Sequence, residues 1–295
     1  MTCENRSDTG IRMNYYHVDV FSSRPLSGNG LTVVFLPQET DPQTLLRIAQ
    51  EFKQFETVFV YPERDGAFPI RIFTVQEELP FAGHPVLGTA ALLHELTAPD
   101  SPERKITLQI KSTGRSLSLQ SLKRGEYMTV EMNQGKASVV NPDPVQNVRE
   151  LCEFLHLTPQ DIDDSYPMRV VSTGLAYLLI PVKRNLACAR IRKDGFEAYL
   201  AERKAKFAYF FQTDTLECRT WDNSGMYEDV ATGSAAGPLV AYLVSVGAYP
   251  AETDVTLRQG RFCGRPGTIT GRVGRNGDVV IRGDVSFFAS GTLLN

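Results

Sequence analysis

The chain contains one sequence unit twice: a strand, a glutamate-bearing turn, a glycine and an apolar helix. The first copy runs Arg71-Ile72-Phe73-Thr74, then Glu78-Leu79-Pro80-Phe81-Ala82-Gly83-His84-Pro85. The second runs Arg219-Thr220-Trp221, then Glu228-Asp229-Val230-Ala231-Thr232-Gly233-Ser234-Ala235. Gly83 and Gly233 lie 150 positions apart (233 − 83), as do Glu78 and Glu228. That spacing in a 295-residue chain predicts two related lobes, each within the usual size of a domain. Packed about a pseudo-twofold axis, the lobes would aim two helix N-termini into one cleft. Unpaired N–H groups and positive dipole ends would make that cleft a socket for an anion.

The local pattern supports an α+β chain. Short β-branched or aromatic runs bounded by Gly, Pro or Asn predict strands over 15–21, 31–36, 57–61 and 69–74, then a meander over 106–110, 115–122 and 127–132. Asp41-Pro42 opens a helix to Phe52, with Leu45, Leu46, Ile48, Ala49 and Phe52 on one face. After Asn141-Pro142-Asp143-Pro144 the order begins again: a helix over 148–157, a capping-box pattern at Thr158–Asp161, and strands over 168–171, 176–181, 208–212 and 217–221. Gly-punctuated strands fill 254–294. Pro85–Leu96 carries one formal charge and Ala235–Val246 none, so each reads as a buried central helix wrapped by a mostly antiparallel sheet. Pro238 leaves the start of the second helix open by a turn.

Composition narrows the function classes. A net charge of −3 and a pI near 5.9 give no basic field for nucleic acid, and no apolar run approaches the ~20 residues that cross a bilayer. The polar stretch Met1–Arg6 lacks a signal-peptide core, so a cytoplasmic location is expected. The five cysteines (Cys3, Cys152, Cys188, Cys218 and Cys263) show no ligand or disulfide spacing, and Cys152, Cys188 and Cys218 read as buried thiols. No metal site is expected.

Proton chemistry at carbon needs a carboxylate whose pKa is raised by desolvation, with donors to hold the developing charge. Glu56, between Phe55 and Thr57-Val58-Phe59-Val60, has no local charge partner except Lys53. It reads either as such a base or as an exposed residue at a strand start. His84, at the mouth of the first apolar helix, reads as a neutral donor or proton shuttle, or as a cap. Asp229 reads as a turn carboxylate or a site residue. Ser234 caps its helix or, with the Gly233 and Ser234 amides, grips a carboxylate, as Gly83 does on the other side.

Residues 78–90 together with 228–239 resemble the paired signature of the PhzF-like isomerases of phenazine biosynthesis. Gly28-Asn29, Glu56–Val60, Gly174–Leu178 and Gln259–Pro266 are similar to further family segments in the same order. The resemblance implies a diaminopimelate-epimerase-like fold of two pseudo-symmetric lobes with the active site between them. Lobe 1 spans 12–132 with 285–295 returning to it, and lobe 2 spans 133–284. It also implies Glu56 as general acid/base, His84 and Asp229 as catalytic partners, no cofactor and a homodimer. The chain departs from the family pattern at Phe55, where Ser is usual, at Val230, where Pro is usual, and at Gly30, where Pro is common. Racemases of this fold resemble one another in using two opposed cysteines. Ala82 and Val230 or Ala231 stand at those places here.

The function this predicts is a cofactor-independent isomerase that moves a proton between carbons of a small anionic substrate, a carboxylate. Nucleic acid and membrane are not expected partners. A catalytically silent anion-binding or adaptor protein, or a lyase using the same base, stays open.

Overall fold

The computed structural model describes residues 13–294, so Cys3 and the polar stretch Met1–Arg6 lie outside the described residues. Its first half holds β1 (Met13–Val20), β2 (Asn29–Phe35), α1 (Pro42–Phe52), β3 (Thr57–Val60), β4 (Phe68–Phe73), β5 (Glu78–Leu79), α2 (Gly83–Thr97), β6 (Glu103–Ile110), β7 (Ser116–Arg124), β8 (Tyr127–Lys136) and β9 (Ser138–Asn141). Its second half holds α3 (Val148–Leu155), β10 (Arg169–Ser172), β11 (Ala176–Val182), α4 (Phe196–Glu202), β12 (Phe207–Gln212), β13 (Glu217–Arg219), α5 (Gly233–Ser245), β14 (Val255–Gln259), β15 (Gly267–Val273) and β16 (Asp278–Leu293). The fold is α+β.

Strands β1-β2-β3-β4-β6-β7-β8-β16 follow one another, and β16 pairs back onto β1 to close an eight-stranded barrel about α2. From β16 the sheet runs on through β15-β14-β13-β12-β11-β10-β9 and curves about α5. From β1 to β8 the pairings run antiparallel, parallel, antiparallel, parallel, antiparallel, antiparallel. From β10 to β16 the same order recurs. In both halves the second parallel crossover carries the Gly-led helix, α2 or α5. The duplicated unit is thus a duplicated ladder position.

Both Gly-led helices are interior, as their all-round apolarity requires. Every residue of α2 from Gly83 to His94 is buried, and α5 buries Ala235, Ala236, Leu239, Val240, Tyr242 and Leu243 in the same cluster. Helix α5 starts at Gly233 with Pro238 inside it, which leaves the Ser234 carbonyl without its usual helical donor. His94 is a satisfied core histidine: Nδ1 meets Ser121 Oγ at 2.9 Å and Nε2 meets the Ser101 carbonyl at 3.1 Å.

Helix α1 begins as its sequence predicts, with the Asp41 carboxylate accepting from Thr44 N and Pro42 in the first turn. It packs Leu45 and Ala49 on Val34, Phe59, Tyr61 and Phe73 and ends at Lys53 in the left-handed conformation. The Thr158 capping box forms but heads only one turn, Pro159–Asp161. Cys152 and Cys218 are buried, whereas Cys188 is exposed: it ends a short 3-10 turn whose carbonyl points out to His156. Among the described residues no helix is long and apolar enough to cross a membrane, and no three His, Cys, Asp or Glu side chains are grouped to hold a metal ion.

Candidate active site

The two helix mouths meet. A side chain at Gly83 would stand 3.3 Å from Ser234 N and 3.5 Å from the Gly233 carbonyl carbon, so glycine is what lets the N-termini of α2 and α5 abut. Neither helix has a side-chain cap on its first N–H groups. Gly83, His84, Gly233 and Ser234, drawn from segments 150 positions apart, are therefore brought together. Ser234 Oγ bonds the buried Tyr177 hydroxyl at 2.7 Å.

Glu56 arrives from another element. The left-handed turn at Lys53 leads from α1 into β3, and Glu56 is the residue before Thr57, which pairs with both Thr32 and Phe73. Its carboxylate does not pair with Lys53. Its Oε2 lies 3.3 Å from His84 Nε2, out of line for a hydrogen bond, and both atoms are buried without a hydrogen-bond partner. The distance alone suggests an ion pair, but the burial of both groups argues against one. Burial, then the charge of Asp229, raises Glu56 to about 8, and burial lowers His84 to about 3. An ion pair would shift each the other way, so near neutral pH the imidazole is uncharged and the carboxyl is largely protonated. A carboxyl poised there can both take and return a proton.

Asp229 comes from the second copy, on the far side of Asn29. Gly28 takes a positive φ of 64°, and a Cβ on it would stand 2.3 Å from the Val20 carbonyl oxygen, so glycine turns the chain to present Asn29 at the start of β2. Asn29 Nδ2 faces Asp229 Oδ1 at 2.9 Å, the Ala231 carbonyl at 3.1 Å and His84 Nδ1 at 3.4 Å. Its two hydrogens serve the nearer two acceptors best and leave the His84 contact weak. Because Nδ1 faces a donor, the network assigns the imidazole proton to Nε2, toward Glu56. The other Asp229 oxygen accepts from Thr232 Oγ1 at 2.6 Å. Burial raises the Asp229 pKa against the pull of these bonds.

Gln259 closes the network. Its amide donates to the Asp229 carbonyl and to Thr232 Oγ1, each at 2.9 Å, while its oxygen accepts from Thr232 N at 3.2 Å and Tyr209 Oη at 2.9 Å. Asn29, Tyr177, Thr232 and Gln259 thus join the site beside the residues expected from sequence. Asn29, Tyr177 and Gln259 lie in the family-like segments, but nothing near them in sequence shows which group each would meet. Beside Ser234 a small recess of about 10 Å³, room for about one water, is lined by Phe81, Arg115, Gln134, Thr173 and Leu175.

The family model PhzC-PhzF, described as phenazine biosynthesis-like protein, matches residues 18–291. A structure from Pseudomonas aeruginosa described as a predicted epimerase is 44% identical, with a TM-score of 0.87 over 96% of this chain and 99% of that one. Trans-2,3-dihydro-3-hydroxyanthranilate isomerase of Pseudomonas chlororaphis is 29% identical over 301 residues, 95% of this chain and 99% of the relative. A hydroxyproline epimerase from Agrobacterium vitis, at 13% identity and a TM-score of 0.64 over 97% of this chain and 93% of that one, shares the fold alone. With the family model matched from Val18 to Gly291 and relatives named as isomerases, the chain belongs to the phenazine biosynthesis-like (PhzC-PhzF) family and is an isomerase.

Proposed function

We propose that the chain moves a proton between two carbons of a small carboxylate-bearing substrate without a cofactor, with Glu56 as the single general acid/base. One observation carries this reading: a buried carboxyl near pKa 8, its Oε2 free of hydrogen bonds, beside two uncapped helix mouths. The substrate carboxylate binds the N–H groups around Gly83 and Gly233-Ser234. Ionised Glu56 takes a proton from carbon, and the electron pair spreads through the conjugated system toward that carboxylate. Protonated Glu56 then returns the proton to a second carbon on the same face. His84 holds a substrate oxygen through Nε2–H, and Asp229 orients Asn29 and relays protons. The cleft of this reading lies between two lobes, 12–132 with 285–295, and 133–284, of which residues 12 and 295 lie outside the described residues.

Asp229 is the rival base, since it too is buried with a raised pKa. Both its oxygens already accept hydrogen bonds, from Asn29 and Thr232, whereas Glu56 Oε2 accepts none. That favours Glu56 for the abstraction. The test is incubation in D₂O with trans-2,3-dihydro-3-hydroxyanthranilate and a panel of small unsaturated carboxylates, read by NMR. Deuterium should enter at carbon with the native chain and not with Glu56→Gln. Near-native exchange in Glu56→Gln would move the base elsewhere, and binding of an acid with no exchange would mark a silent anion-binding protein.

A further inference from the structure

Arg219 lies outside the contacts described so far, yet it is the largest fully buried side chain among the described residues, at 1% exposure. Its Nε and Nη2 donate to the two oxygens of Glu228, each at 2.6 Å. Nη1 donates to the carbonyls of Leu186, Ala187 and Ala189 at 3.0–3.2 Å. The guanidinium also lies 4.4 Å from the centre of the Trp221 ring and 4.3 Å from that of Phe262. Glu228 therefore has one place to stand. The next residue is Asp229, whose N–H donates to the Thr220 carbonyl at 3.1 Å.

A buried ion pair is a poor source of stability compared with apolar side chains of the same volume; what a bidentate arginine supplies is fixed geometry. We infer that Arg219, through its fork on Glu228, is a positioning residue that sets where the Asp229 carboxylate stands relative to Asn29 and Glu56. This rests on the reading of Glu56 and Asp229 given above. The ionisable groups facing this turn are Glu56, Glu228, Arg219, Tyr177, Tyr209 and Cys263, whose thiol burial pushes up to about 11. Glu56 feels the Asp229 charge directly, so its titration reports a displaced Asp229 without any substrate.

The experiment is a carboxyl ¹³C NMR titration of the full chain labelled at Glu and Asp, comparing native protein with Arg219→Met, Arg219→Lys, Glu228→Gln and Arg71→Met. Arg219→Met and Glu228→Gln should lower the Glu56 midpoint by roughly one pH unit, the scale on which a carboxylate neighbour acts. Arg219→Lys, which keeps the charge but not the fork, should fall between, and Arg71→Met should leave the midpoint in place. Solvent-deuterium exchange should drop by up to about 100-fold in the two severe variants, as expected for a displacement near 1 Å. If Arg219→Met does not fold, Glu228→Gln decides alone. A folded Glu228→Gln protein that melts earlier but keeps the native Glu56 midpoint would overturn the inference and leave Arg219 a structural clamp. Midpoints that move in a protein showing no exchange support the positioning role and count only against the isomerase reading.

Discussion

In the first copy of the duplicated unit Arg71 stands 3.6 Å from Glu78, with its Nε and Nη1 and the Glu78 Oε1 buried and lacking hydrogen-bond partners. In the second, Arg219 grips both oxygens of Glu228 at 2.6 Å and three carbonyls besides. The ladders place the two arginines alike: each follows the strand residue, Ile70 or Cys218, that pairs in parallel with Ile110 or Gln259. Only the second is covered, by the turn at Leu186–Cys188 and by Phe262. The same asymmetry runs through the site. Glu56 precedes β3, while the residue preceding β12 is the largely exposed Lys206; His84 opens α2 where Ser234 opens α5. Duplication supplied two helix mouths. Glu56 and His84 stand on the side of the first copy, and the bidentate arginine clamp on the side of the second.

The sharpest way to break this comparison is to exchange the unequal partners. Glu56→Gln keeps size and most hydrogen bonding, so turnover should fall by about 10²–10⁴-fold with affinity little changed, whereas Lys206→Gln should leave both alone. Equal losses from the two, measured as deuterium exchange, would mean that the halves share the chemistry.

Asn29 is the bridge between the copies, and Asn29→Ala leaves Asp229 and the Ala231 carbonyl short of a buried donor. Stability should drop by about 1–3 kcal/mol in denaturant titration. Exchange should fall with it, by less than in Glu56→Gln.

The third effect is on pH-dependent stability. Glu56 titrates near 8 when folded and near 4.5 when unfolded, so its contribution is whole below 4.5 and is lost as pH rises through 8. Glu56→Gln should therefore gain on the native chain in Tm between pH 5 and pH 9, by the equivalent of a few kcal/mol at about 1.4 kcal/mol per unit. His84 runs the other way, from 6.5 unfolded to about 3 folded: its contribution is whole above 6.5 and fades as pH falls toward 3. His84→Gln should gain on the native chain only in that acid window. A Tm difference flat in pH for either variant would contradict the burial of that group.

The smallest effect concerns the thiols. Burial pushes Cys218 up to about 12, and Cys188 lies on the surface. Replacing both by Ser should leave exchange nearly unchanged. A folded but inactive variant would put a thiol in the chemistry.

The two Gly-led helices, the α1 cap and the β6–β8 meander were legible because each rests on local signals: a run of apolar residues, an Asp-Pro start, glycines at turns. Glu56, His84 and Ser234 stood out through the repeat and the family-like segments. Asn29 did not, because its meaning depends on Asp229, two hundred positions away, as that of Arg219 depends on the turn at Leu186–Ala189. Helix α4 was missed because seven residues leave too little periodicity to detect, and β9 because its four residues gain strand character only by pairing with β10. Cys188 reads as buried from its apolar neighbours, yet only Leu186 and Ala189 turn inward, which leaves Ala187 and the thiol outside.

Strand β16 is hydrogen-bonded along its length to β15, β8 and β1, with Val285 facing both Met128 and Val20 and Leu293 facing Met13. During synthesis, α2 emerges long before the strand that completes its enclosure. Until residues 285–293 arrive, β1 keeps an unpaired edge, and the barrel interior stays open on that side while all the intervening chain is made. The nascent first half is for that reason an assembly intermediate in need of a stave from residues 285–293, and hydrogen-exchange labelling of stalled chains should find the β1 amides on that edge unprotected until that stave is supplied.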